Sequence, residues 1–207
     1  MPQPVKILFL SANPNDVTEL DLGKELREVD ESIQLGECRD QLLLLPHFAV
    51  RVSDLQETLL RHQPHVLHFS GHGSATQGIA LKDEKGNLKL VHPNALASLL
   101  SVIKDNVRVV VLNACFSALQ ADEINKVIDI TIGMKTTIRD RSAIAFSSAF
   151  YQGLAYGRSV KEAFGLGVTA LMLKGIPEAT TPVLLSKPGI DPARTYLLKG
   201  QKLSLRN

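Results

Sequence analysis

The chain has 207 residues, of which 44% are hydrophobic and 21% charged, and a formal net charge of +2. That length suits one α/β domain with a substantial core, and so small a charge, with its basic residues scattered, argues against a nucleic-acid surface. No apolar run reaches the roughly 18 residues of a membrane-spanning helix, and the N-terminal MPQP leads into a strand without a secretory signal.

The first element expected is a buried strand over Val5–Leu10, stopped by the turn residues Ser11 to Asn15. Apolar residues at 22, 26, 29 and 33 predict an amphipathic helix within Leu20–Glu37. Leu42–Val50 reads as a second strand, with Pro46 placing it near an edge. A helix from Ser53 to about Arg61 ends at Pro64, and a third strand covers Val66–Phe69. Two short runs around Gly86-Asn87 predict a hairpin over Gly78–Val91. Pro93 then opens a helix to about Lys104. Val107–Leu112 and Val127–Gly133 are further core strands, and Ser142–Tyr156 and Ser159–Leu173 are helices separated by Gly157. Thr181–Ser186 is a last strand, and the tail from Lys187 is mostly irregular. Strands alternating with helices imply a parallel sheet covered on both faces, in a single domain spanning residues 1–207.

Two motifs carry chemistry. VLHFSGHG at residues 66–73 and VVVLNACFS at residues 109–117 are apolar runs that end abruptly in small-residue turns, one presenting His72 and the other Cys115. In parallel sheets functional groups gather at the carboxyl ends of strands. A thiol is mostly protonated near neutral pH, and a nearby imidazole raises the thiolate fraction and supplies a proton for a leaving amine. Gly71 and Gly73 let the backbone turn sharply beside His72. The backbone N–H groups of Gly73 and Cys115 are candidate donors to an oxyanion. Taken alone, Cys115 is equally a small core residue and Gly-His-Gly only a loop. No metal is expected, because His68 lies within a strand and lacks acidic or cysteine partners at ligand spacing. His68 reads as a hydrogen-bonded core histidine. A nucleotide site is disfavoured, because no glycine-rich phosphate loop follows the first strand. Cys38 and Cys115 are expected to be reduced thiols in a cytoplasmic protein.

At these residues the chain resembles the CHAT proteins, prokaryotic caspase-like cysteine peptidases related to caspases, metacaspases and separases. The matching pieces are residues 7–14, 68–73, 112–117, 132–134, 143–147, 150–151 and 157–164, within a resemblance covering roughly residues 5 to 186. The resemblance implies an α/β caspase-like three-layer sandwich with a mostly parallel central sheet flanked by helices. It implies an endopeptidase with His72 as general base, Cys115 as nucleophile and Gly73 as oxyanion donor, without a cofactor. In relatives specific for arginine or lysine, an aspartate two before the cysteine lines the S1 pocket; here that position is Asn113. Asn13 faces the same region by analogy. Asp140 either adds a charge there or caps the helix near Ser142, the cap being preferred. A neutral S1 pocket taking an uncharged or aliphatic P1 residue follows. The resemblance further implies a protein or peptide substrate, an activating or recruiting protein partner, no direct nucleic-acid or membrane contact, and a role in prokaryotic defence or cell death. Residues 74–93 and 133–141 are candidates for loops that assemble on activation. The competing expectation is a catalytically silent CHAT-like interaction module.

Overall fold

Runs of aliphatic and β-branched residues that can face water on neither side form a sheet with helices on both faces. The structure, a computed structural model, describes residues 3–198. In chain order it runs β1 (Val5–Ala12), α1 (Leu22–Gln34), β2 (Leu42–His47), α2 (Asp54–His62), β3 (Val66–Gly71), β4 (Gly73–Ser74), β5 (Gly78–Lys82), β6 (Leu88–Val91) and α3 (Pro93–Ile103). It continues with β7 (Val109–Asn113), α4 (Ala118–Asn125), β8 (Ile130–Met134), α5 (Asp140–Ala155), α6 (Val160–Leu173) and β9 (Pro182–Ser186). The main sheet has the order β2-β1-β3-β7-β8-β9. Its strands are parallel except β9, which runs antiparallel to β8.

The period of two along each strand divides the core. Ile7, Phe9, Val109, Val111, Ile130 and Ile132 face the layer that contains Val29 and Ile33 of α1, Phe146 and Phe150 of α5, and Leu171 of α6. Leu8, Leu10, Leu67, Phe69, Val110 and Leu112 face the layer that contains Leu55 of α2, Leu96 of α3 and Ile124 of α4. The result is the expected three-layer α/β sandwich with a mostly parallel sheet.

Several elements differ from the sequence reading. Helix α4 was not anticipated: Ser117 makes no side-chain capping bond, and the helix buries only Gln120, Ala121 and Ile124. The hairpin expected over Gly78–Val91 is present as β5 and β6; what the sequence did not show is β4, which pairs with β5 and makes a small three-stranded antiparallel sheet over residues 73–91. Pro46 does lie on an edge strand, opposite Phe9. The predicted tail is irregular as far as it is described, and residues 199–207 fall outside the described residues. Among the described residues, no helix is long and apolar enough to cross a membrane.

Candidate active site

The site begins with sheet register. Strands β3 and β7 are parallel neighbours, with Ser70 opposite Asn113. His72 and Cys115 each follow two residues later, so both emerge at the same carboxyl edge. That edge adjoins β1, where the strand order reverses from β2 on one side to β3 on the other. The two turns also touch. A Cβ placed on Gly73 would stand 2.2 Å from the carbonyl oxygen of Cys115, so only glycine permits this approach. Beyond the cysteine, Phe116 adopts a left-handed backbone with φ of 56°, uncommon for a bulky residue. Its N–H donates to the Thr136 carbonyl at 3.1 Å. Ser117 fixes the turn from within, donating to Leu112 O at 2.7 Å and accepting from Met134 N at 2.9 Å.

His72 and Cys115 line one narrow cavity of about 40 Å³, together with the start of α1, the residues after β8 and the first turn of α5. Those 40 Å³ are where the centre of a water can sit; the empty space between the walls, counted out to solvent, is about 380 Å³. The cysteine sulfur is flanked by Ile138, whose N–H lies 3.4 Å and whose carbonyl lies 3.5 Å from Sγ. His72 Nε2 lies 2.7 Å from the carbonyl oxygen of Thr18. A carbonyl only accepts, so Nε2 carries the hydrogen and the neutral ring keeps its lone pair on Nδ1. The segment bearing Thr18 is held in turn by the small sheet. Asn15 N donates to Gly86 O at 3.0 Å, Leu88 N to Asp16 Oδ1 at 2.7 Å, and Lys82 Nζ to Asn15 Oδ1 at 3.1 Å.

Beneath the cavity sits a carboxylate on the core face of α1. Glu25 is only 2% exposed. Ser70 Oγ donates to its Oε2, and Asn113 Nδ2 at 2.6 Å and Ser147 Oγ at 2.7 Å donate to its Oε1. His68 Nε2 stands 3.2 Å from the same oxygen, close enough for an ion pair but too oblique for a full hydrogen bond. The His68 ring stacks on Phe9 with centroids 4.5 Å apart, and its Nδ1 lies 3.1 Å from the Tyr151 hydroxyl. Burial pushes the Glu25 carboxyl up. The facing His68, by contact and charge, and the Ser70 and Ser147 hydroxyls outweigh that and hold it below its ordinary value. Burial, then the Glu25 charge, drives the Tyr151 phenol far above its ordinary range, so it remains a donor.

The sequence-derived residues therefore divide. His72, Gly73, Cys115 and Asn113 come together at one strand edge. Asn113 lines the cavity, but its amide also belongs to the buried network. Asn13 does not line the cavity; its Nδ2 donates to Leu20 O at 2.8 Å and its Oδ1 accepts from Leu20 N at 3.1 Å, closing its own segment. Asp140 is not the cap of α5. Arg139 occupies that position, and Asp140 Oδ2 accepts from Asp21 N at 3.0 Å, joining the starts of α1 and α5. Asp21 in turn caps α1 by accepting from Lys24 N. His68 is the bonded core histidine expected. The sequence reading missed Thr18, which acts through its backbone, and Glu25. The signal for Glu25 was a carboxylate on the buried stripe Leu22, Glu25, Val29, Ile33.

Two predictions follow from this geometry. The folded Glu25 carboxyl titrates below its ordinary value of 4.5, so its stabilisation is complete above that pH and is lost as pH falls through the lower folded value. Glu25→Gln should cost about 3 kcal/mol near neutral pH and lose less further stability on acidification than the wild type. Denaturant unfolding at neutral and acid pH measures both, and an unchanged acid dependence would exclude Glu25 as its source. Gly73→Ala should force the two turns apart and lower the thermal midpoint by several degrees; an unchanged midpoint would mean that the close approach constrains nothing.

A family model described as "CHAT domain" matches residues 3–171. A "Roc-COR-CHAT protease" from an unknown prokaryotic organism is 24% identical over 182 residues, covering 84% of this chain and 17% of the relative. The chain thus spans less than a fifth of that relative's length. Among solved structures, caspase-1 from Spodoptera frugiperda superposes with a TM-score of 0.59 at 10% identity, over 99% of this chain and 92% of the caspase. The "Arg specific cysteine proteinase gingipain R" gives a TM-score of 0.60 at 11% identity, over 89% of this chain and 46% of the proteinase. At these identities the two structures establish the fold alone, which is caspase-like, and the family match gives the assignment: the chain belongs to the CHAT domain family.

Proposed function

We propose that this chain is a cysteine endopeptidase in which Cys115 is the nucleophile and His72 the general base. One arrangement carries the reading: a histidine and a cysteine close the ends of adjacent parallel strands and line one cavity. The hydrogen bond from His72 Nε2–H to Thr18 O supports it, because it leaves Nδ1 free to accept a proton.

In this mechanism His72 Nδ1 takes the proton from Sγ, and the thiolate attacks the carbonyl carbon of the scissile peptide. The C–S bond forms as the carbonyl π pair moves to oxygen, where the backbone N–H groups of Gly73 and Cys115 receive the charge. Collapse of that intermediate breaks the C–N bond, and the imidazolium gives its proton to the leaving amine. Water, deprotonated by His72, then hydrolyses the thioester and restores the thiol. These steps need no metal or cofactor. Family resemblance alone extends the proposal to a cytoplasmic effector in prokaryotic defence or cell death, recruited or activated by a protein partner.

Both cysteines are free thiols, so alkylation distinguishes them. Burial, and then the Glu37 carboxylate, push the Cys38 thiol above its ordinary range, which keeps it protonated and slow. Iodoacetamide near pH 7 should modify Cys115 at least about tenfold faster than Cys38, and His72→Ala should abolish that advantage. Cys115→Ala should end peptide cleavage, and Cys38→Ser should leave it unchanged. Full cleavage by Cys115→Ala would overturn the assignment.

A further inference from the structure

The geometry points to a cationic P1 residue, arginine or lysine, as what the cavity beside Cys115 accepts. This deepens the peptidase proposal and rests on it. It departs from the neutral pocket expected from Asn113, because the sequence reading considered that position and Asp140 without the start of α1.

Three carboxylates line the cavity: Asp21, Glu25 and Asp140. Among the described residues, no lysine or arginine lines it. Glu25 is buried and already accepts from Ser70, Asn113 and Ser147, so the more exposed Asp21 and Asp140 are the carboxylates open to an incoming charge. Each engages an oxygen in a backbone contact that also fixes its place, Asp21 with Lys24 N and Asp140 with Asp21 N.

Asn113 adds an unpaired acceptor to the wall of the cavity. It is 3% exposed and its Nδ2 faces Glu25 Oε1 at 2.6 Å, Ala143 O at 3.2 Å and Ser147 Oγ at 2.9 Å. An ionised carboxylate and a peptide carbonyl only accept, so the amide orientation is fixed. That leaves Oδ1 buried without a partner, on a residue that lines the cavity. A buried acceptor without a donor is costly, and an ammonium or guanidinium supplies the donor. Leu20, Ile138 and Ile144 on the walls suit the methylene stem that such a side chain carries. An acidic P1 residue would meet like charge, and an aliphatic one would leave Oδ1 unsatisfied.

Peptidyl acyloxymethyl ketones that differ only in arginine, leucine or aspartate at P1 test the substrate. Labelling of Cys115 in the wild-type protein, followed by mass spectrometry, should be about tenfold or more faster for arginine than for leucine. The ratio should shrink in Asp140→Asn, which keeps an acceptor for Asp21 N. Equal or faster labelling by the leucine or aspartate ketone overturns the P1 assignment and leaves the peptidase reading standing. Labelling by none of the three overturns the P1 assignment if iodoacetamide still reacts with Cys115 in a His72-dependent way, and removes the peptidase reading if it does not. The cavity is tested separately by agmatine, which should slow iodoacetamide at Cys115 in the wild type and do so less in Asp140→Asn. An absence of protection in the wild type overturns the cation site whatever the ketones do.

Discussion

The Glu25 carboxylate is the interaction on which the site depends. It comes from α1, yet its partners are Ser70 on β3, two residues before His72, and Asn113 on β7, two residues before Cys115. Ser147 of α5 completes the set. One buried charge thus joins the strands that lead to His72 and Cys115 to the two helices that wall the cavity. Such a group is costly to bury alone and tolerable only when every partner is present. The network therefore specifies a single arrangement of the strand ends more than it adds stability.

Tight backbone geometry holds the turns above this floor. Gly73 lies against the Cys115 carbonyl, and Phe116 is kept in a left-handed conformation by Thr136 and by the Ser117 bonds. Residues in sparsely populated conformations persist when their surroundings over-determine them. The same restraint fixes where the sulfur points, between the N–H and carbonyl of Ile138.

The fold was largely readable because the strands are continuous apolar runs and the helices carry clear periodicity. Helix α4 escaped because its buried face is short and its cap unsatisfied. His72 and Cys115 were legible because each ends a strand in a small-residue turn. Thr18 was not, since a backbone carbonyl leaves no mark on residue type. Glu25 was visible only as a carboxylate on a helix's apolar stripe, and its partners lie far along the chain. Asp140 was misread as a cap because the helix starts two residues before the expected boundary, and its partner, the Asp21 N–H, belongs to a distant element.

The two sides of the cavity are held with different strength. The β3–β7 side rests on buried, charge-assisted bonds and close-packed backbone, interactions that water cannot replace without cost. The side formed by residues 13–21 rests on Asn15, Asp16 and Lys82 contacts at the surface, where water competes and each bond is worth little. Yet that weaker side supplies both the Thr18 carbonyl that orients His72 and the Asp21 carboxylate at the mouth. A displacement of it would move the His72 ring and the Asp21 carboxylate together while leaving Cys115 in place. Local openings are drawn from such weakly held segments, so the position of Cys115 belongs to the core, while the orientation of His72 and the placement of the Asp21 carboxylate depend on the surface.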